Sequence, residues 1–339
     1  MLSNHKWYNL IDMIRHYKNR HNIKILSIGA AVQDVYLMGK IFSPHCEENY
    51  CIEEFVLGSK NDIEGVVFST GGGATNASVT FSRQGLHSYY MGHIGNDIAG
   101  HAILDDLHKN DVDSSLVGFS KDHGTGYSTL LLSPDGERTI LTYRGASTHY
   151  SLVPEDFHGA KPDWIYLSSM EGNFDLLKVI FEYAVHNKIK IAMNPGKKEL
   201  EQKDKLKKLL PYLTILSMNK EEMQQLYEGD SIQSLVRLAC KDVHYVIVTD
   251  GPNGAAAGDR WHVVTAGMYE NVEVVDRTGA GDAFSSGFTA MIAAGESLEQ
   301  AVTFASANST SVVTTIGAKT GILHNDTVIH DIPLKLEDF

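Results

Sequence analysis

The densest chemistry in this sequence lies in Asp276-Arg277-Thr278-Gly279-Ala280-Gly281-Asp282, directly after Val274-Val275. A β-run over 273–275 gives way to a turn of small residues. A helix is expected to begin near Gly279, with Phe284, Phe288, Met291 and Ile292 on its apolar face. No bulky side chain keeps an anion from the backbone N–H groups of Gly279, Ala280 and Gly281, and a helix N-terminus adds about half a positive charge there. Asp282 falls in the first helical turn, where a carboxylate at fixed geometry can take a proton from an attacking hydroxyl. An anion cradle beside a base suits phosphoryl transfer, whose transition state spreads negative charge over the equatorial oxygens. The same residues also suit a helix packed tightly on a strand, with Asp282 as a capping charge.

A second Gly-rich turn, Gly71-Gly72-Gly73-Ala74-Thr75-Asn76-Ala77, opens a helix expected over 74–83. It again brings backbone close to a ligand, and Asn76 offers both a donor and an acceptor for hydroxyls. In Asn219-Lys220-Glu221-Glu222, Asn219 and Glu222 stand three apart on a first helical turn and face the same way. Such a pair can organise Mg²⁺ through water and phosphate oxygens. It can equally form a capping box. Arg144 either pairs with a carboxylate or phosphate or is a solvated residue at a hairpin end.

These residues need a frame. Residues 24–29 form an apolar run ending in Gly, the profile of a buried parallel strand feeding a loop. From residue 160 onward, candidate strands at 164–168, 189–194, 213–219, 245–249 and 273–275 alternate with helical stretches such as 174–187 and 220–228. That rhythm predicts an α/β fold with a doubly wound, mostly parallel central sheet flanked by helices, ligands binding at the carboxyl edge. Strand pairs at 52–57 with 63–69, and at 127–133 with 137–144 around Pro134-Asp135-Gly136, predict a small separate β-sheet. The organisation expected is an amphipathic helical extension over 1–22 and one domain over 23–339, with lid strands from about 35–70 and 124–146.

The bulk composition narrows the classes. With 339 residues, 43% hydrophobic and 21% charged, the chain is an ordinary globular one. No run approaches the roughly 20 apolar residues that span a bilayer, and the N-terminus lacks the order of a signal peptide. A net charge of −13 argues against a nucleic-acid surface. Cys46, Cys51 and Cys240 are too few for a disulfide framework or a zinc site, which makes a reducing, cytoplasmic setting the default. The sixteen histidines are scattered and are read as surface and loop residues.

The 276–282 stretch resembles the C-terminal signature of the ribokinase (PfkB) family of sugar and nucleoside kinases: Asp, any residue, Thr, Gly or Ala, Ala, Gly, Asp. The resemblance extends over about residues 24–325 and includes the Gly71–Asn76 turn. It implies a ribokinase-like fold with a β-sheet lid, ATP and Mg²⁺ as cofactors with a monovalent cation such as K⁺ as a further one, and pairing of two lids in a homodimer. By this likeness Asp282 is the base and Gly279, Ala280 and Gly281 form the anion hole. Asp34, Gly72, Gly73, Asn76, Arg144 and Glu171 would face the acceptor. Asn219, Thr249, Gly251, Gly254 and Asn308 would lie by the nucleotide, with Glu222 and Asp276 at metal sites. Val32 and Gly73 replace an Asn and a Lys of ribokinase proper. Tyr143-Arg144-Gly145-Ala146-Ser147 is instead similar to a Tyr-Arg segment of fructokinases and ketodeoxygluconate kinases. The function implied is ATP-dependent phosphorylation of a sugar or sugar acid. Alternatives are a nucleoside kinase and a non-catalytic sugar- or nucleotide-binding protein. A Rossmann dehydrogenase is disfavoured, because no Gly-x-Gly-x-x-Gly follows Gly29.

Overall fold

Short apolar runs do form strands and amphipathic runs form helices in the computed structural model, which describes residues 20–47, 50–134, 138–269 and 272–339. In chain order, β1 (Lys24–Ile28), β2 (Val32–Met38), β3 (His45–Glu47), β4 (Tyr50–Ile52) and β5 (Gly65–Gly71) lead to helix α1 (Gly73–Arg83). Next come β6 (His87–Gly95), α2 (Ile98–Lys109), β7 (Asp113–Ser120), β8 (Gly126–Leu132) and β9 (Arg138–Tyr143). The alternating part follows: β10 (Trp164–Leu167), α3 (Phe174–His186), β11 (Lys190–Met193), α4 (Lys197–Leu200), α5 (Lys203–Leu209), β12 (Ile215–Asn219), α6 (Lys220–Met223), α7 (Ile232–Ala239) and β13 (Tyr245–Thr249). β14 (Ala255–Gly258), β15 (His262–Ala266), α8 (Ala280–Ala294), α9 (Leu298–Val313) and β16 (Leu334–Asp338) complete the chain.

The central sheet runs in the order β16-β15-β14-β13-β12-β11-β10-β1-β6-β7, parallel from β13 to β7 and antiparallel from β14 to β16. Both its faces are covered. Ile25 packs with Phe81, Tyr166, Ile247, Phe288 and Phe304 beneath α1, α8 and α9. The adjacent Leu26 joins Leu177, Ile180, Leu216, Leu235 and Val246 beneath α3 and α7. Successive strand residues point to opposite faces, so a strand covered on both sides must be apolar throughout. Right-handed crossovers then bring the ends of β1, β10, β11, β12 and β13 to one edge.

A second sheet, β5-β2-β8-β9, forms the lid. Asp34 opposes Ser69 on β5 and Ser128 on β8, and Ser128 opposes Thr142 on β9. Asp34, Ser128 and Thr142 thus share one lid face with Leu130 and Ile140. The alternate positions Val66, Phe68, Tyr127, Leu141 and Tyr143 are exposed and apolar.

Several expectations need correction. The lid takes β2 in place of a strand over 52–57, where only the end of β4 is extended and residues 53–64 carry no strand. Residues 272–275 are loop, not a strand. The helix expected over 220–228 ends at Met223. Cys46 and Cys51 stand opposite each other across β3 and β4 and form a disulfide, while Cys240 is free and buried. The count of three cysteines gives no hint of that bridge; the register of the hairpin does. The expected N-terminal helical extension lies outside the described residues apart from 20–22, where the Arg20 guanidinium pairs with Glu296 at 2.6 Å. Asp135 and Gly136 of the expected hairpin turn also lie outside them. Among the described residues no helix is long and apolar enough to cross a membrane.

Candidate active site

Gly279 is the N-cap of α8 in a left-handed conformation (φ 83°), and Asp282 stands in that helix's first turn. The preceding loop is pinned by Asp276, which is fully buried. Its Oδ1 accepts the Thr278 N–H at 2.9 Å and its Oδ2 the Gly317 N–H at 3.1 Å. With both sides of the loop tied to one carboxylate, the first amides of α8 hold a fixed direction.

This helix start is the wall between two cavities. The first, about 360 Å³, lies between lid and body and exposes Gly279 and Asp282. The lid contributes Asp34, Ser128, Leu130, Ile140, Thr142 and Arg144; the body contributes Gly73, Asn76, Ser168, Glu171 and Glu222, among others. The second, about 420 Å³, lies on the other side and exposes Ala280 and Gly281. Thr249, Gly251 and Gly254 rim it, and Pro252, Met268, Val274, Phe284 and Val313 give it an apolar lining.

Within the first cavity, Asn76 Nδ2 donates to Asp282 Oδ2 at 2.8 Å. Burial raises the Asp282 carboxyl above the usual range, and the Asn76 bond pulls it partly back. A Cβ at Gly73 would lie 2.9 Å from the Ser168 Cβ and 3.2 Å from Asp282 Oδ1, so glycine there keeps the floor beside the carboxylate clear. Asn76 Oδ1 and Ser168 Oγ are buried and find no hydrogen-bond partner among the described residues. Buried polar atoms are seldom left so, and both lie at this cavity. Asp34 is raised to about 6, first by burial, against the opposing charge of Lys319 and the Ser128 hydroxyl. Lys319, itself buried, donates to Thr70 Oγ1 at 2.7 Å and Asp106 Oδ2 at 3.1 Å, tying the end of β5 to α2. Glu171 is bridged by Arg144 of the lid at 3.3 Å and by Lys198 of the body at 3.0 Å.

The structure therefore gathers Asp34, Gly72, Gly73, Asn76, Arg144, Glu171, Glu222, Gly279 and Asp282 around one cavity. It gathers Thr249, Gly251, Gly254, Ala280 and Gly281 around the other. Three candidates line neither. Asn219 and Glu222 make the reciprocal capping box, Asn219 Oδ1 accepting the Glu222 N–H at 2.8 Å and Glu222 Oε2 the Asn219 N–H at 3.0 Å. Burial raises the Glu222 carboxyl. Asn308 is fully buried: Nδ2 donates to the Ala283 carbonyl and Oδ1 accepts the Leu323 N–H, each at 2.9 Å, so it staples α9 to α8. Asp276 is the loop clamp described above. Ser128 and Ser168, which line the cavity, and Lys319, which ties β5 to α2, are residues that sequence reasoning does not single out. Nothing in a lone Ser or Lys signals them.

A family model described as pfkB family carbohydrate kinase matches residues 24–325. The ribokinase of Haemophilus influenzae is 24% identical over 262 residues, which cover 74% of this chain and 83% of that protein. A putative ribokinase II from E. coli, solved with ATP and Mg²⁺, superposes with a TM-score of 0.74 at 19% identity, covering 89% of this chain and 96% of its own. The adenosine kinase of Sinorhizobium meliloti superposes with a TM-score of 0.73 at 23% identity, covering 88% and 95%.

Proposed function

The chain belongs to the pfkB family of carbohydrate kinases, and we propose that it moves the γ-phosphoryl group of ATP onto a hydroxyl of a sugar or sugar acid, with Asp282 as the base. The observation that carries this reading is the shared wall. One helix start lends Gly279 and Asp282 to the polar cavity and Ala280 and Gly281 to the apolar one. The apolar cavity suits a nucleobase, with Thr249, Gly251 and Gly254 at its rim beside the phosphates. The acceptor lies in the polar cavity. Asp282 takes the proton from its hydroxyl, and the amides of Gly279, Ala280 and Gly281 hold the oxygens of the migrating group. Asp34, Asn76 and Glu171 orient the remaining hydroxyls, and the lid excludes water.

Among the described residues no group of three His, Cys, Asp or Glu could hold a metal ion. That fits Mg²⁺, which is usually bound through one or two carboxylates, water and the substrate's own phosphates. Glu222 would receive a metal-bound water, and the chemistry such an ion would supply is charge neutralisation on the phosphates. Asp276 serves the loop backbone, and no step is assigned to a monovalent cation. The exposed Val66, Phe68, Tyr127, Leu141 and Tyr143 would be covered by the lid of a second copy.

ADP release measured against a panel of neutral sugars, sugar acids and nucleosides tests the reading. A nucleoside taken in preference would replace the sugar assignment. Absence of turnover with every acceptor would favour a non-catalytic binder. Within the panel, Arg144→Ala is expected to raise the KM of acidic acceptors about tenfold, the worth of one charge-assisted contact, and to spare neutral ones. Equal losses on both would show that Arg144 does not read a carboxylate.

The pH dependence follows from Asp34. Its ionised form accepts hydrogen bonds from acceptor hydroxyls, so kcat/KM for the acceptor should fall as pH drops through about 6. Asp34→Asn should erase that acid limb; a limb that persists in the variant belongs to another group. The sign for stability is opposite. Because the folded pKa exceeds the unfolded one, this group favours the fold at low pH and loses that contribution between about pH 4 and 6, roughly 3 kcal/mol in all.

A further inference from the structure

Glu171 reaches the polar cavity from a backbone that side-chain-bearing residues rarely adopt. Its φ is +54°, and that of Gly172 is +73°. A left-handed residue costs about 1–2 kcal/mol and persists where its surroundings over-determine it. Here the surroundings converge on one side chain. Glu199 of α4 is fully buried. Its Oε1 accepts the N–H groups of Met170 (3.0 Å) and Gly172 (2.7 Å). Its Oε2 accepts the Ser169 hydroxyl (3.0 Å) and the Gly196 N–H (2.8 Å). Ser169 Oγ in turn accepts the Glu171 N–H at 3.2 Å. The amides of 170, 171 and 172 are all held by this carboxylate, directly or through Ser169. A buried carboxylate is costly unless its lone pairs are filled, and four donors fill them.

We propose that Glu199 is a positioning residue for acceptor binding. It fixes the 169–172 loop so that the Glu171 carboxylate stands between Arg144 of the lid and Lys198 of the body, ready to accept a hydroxyl of the acceptor. The role rests on the assignment of the polar cavity to the acceptor.

Glu199→Gln isolates it. The amide has the same shape, but one oxygen becomes an NH₂ that meets two donors, either at Met170 and Gly172 or at Ser169 and Gly196. Hydrogen exchange and steady-state kinetics on the full chain read the result. Amides 170–172 should exchange about tenfold faster or more, while those of β12 and α6 keep their protection. The acceptor KM should rise about tenfold, and the KM for ATP should stay within about twofold. Because the effect runs through Glu171, adding Glu199→Gln to Glu171→Gln should cost no more than about a further twofold. Unchanged exchange at 170–172, a parallel rise in both KM values, or fully additive losses would each overturn the proposal. Should the unmodified protein turn over no acceptor, the cavity assignment falls and the acceptor role with it. The exchange result still decides separately whether Glu199 fixes the loop.

Discussion

Asp282→Asn is expected to lower turnover about 10²-fold or more while leaving the fold and nucleotide binding near normal. The substitution keeps the size of the side chain and its place in the first turn of α8. Asn76 Nδ2, which donates to Asp282 Oδ2 at 2.8 Å, can donate to the new amide oxygen instead. What disappears is the proton acceptor. A 10²-fold loss corresponds to about 2.7 kcal/mol of transition-state stabilisation, the range assigned to one general base. The melting temperature should hold or rise, because burial already disfavours the charge at this position. ADP release gives kcat, and calorimetry with a non-hydrolysable ATP analogue gives affinity. A variant that retained most of its turnover would remove Asp282 from the chemistry. One that lost nucleotide binding as well would show that its role is to hold the loop.

The residues that announce this site are those whose local backbone and chemistry coincide. Gly279-Ala280-Gly281-Asp282 is legible because a run of small residues before an apolar helix face has few other uses. The parallel strands are legible because cover on both faces makes them apolar throughout, as in Tyr245–Thr249. β2 is not. Gln33 and Asp34 lie on opposite faces of that strand and both are buried, Asp34 against the polar cavity and Gln33 with its amide on the Ser69 carbonyl, so the ordinary alternation of apolar and polar residues is broken. Residues 52–57 mislead the other way. Phe55, Val56 and Leu57 are exposed, and Phe55 makes only an edge contact with Phe42 among described rings. Asn219 and Glu222 show the limit of spacing: three apart on a first turn serves a cap and a metal-bound water alike, and the cap is what the backbone takes. Asn308 has the look of a ligand contact in a helix of small residues, yet a buried amide needs partners and finds them in Ala283 and Leu323. Glu199 follows Lys197 and Lys198, charged neighbours that give no signal that the fold buries its carboxylate.

Gly279→Ala is expected to cost about 10²-fold in turnover, the loss seen when one donor to a developing oxyanion is misplaced. A Cβ there would lie 2.5 Å from the Ala318 Cβ and 2.8 Å from the Ala318 Cα. Neither side can yield easily, because Asp276 ties Thr278 on one side and Gly317 on the other. The start of α8 must turn, and the amides of Ala280 and Gly281 turn with it. Strain alone does not predict this. Gly295 at the other end of α8 has φ 85°, and a Cβ there would meet nothing within 4 Å. Gly295→Ala should therefore share the left-handed penalty of about 1–2 kcal/mol, a few degrees of melting temperature, and keep its turnover. Thermal unfolding and ADP release on the two variants separate conformational strain from the loss of the cradle. Equal activity in both would mean that the amides at the start of α8 do not hold the migrating phosphoryl group, and the shared wall would lose its chemical meaning.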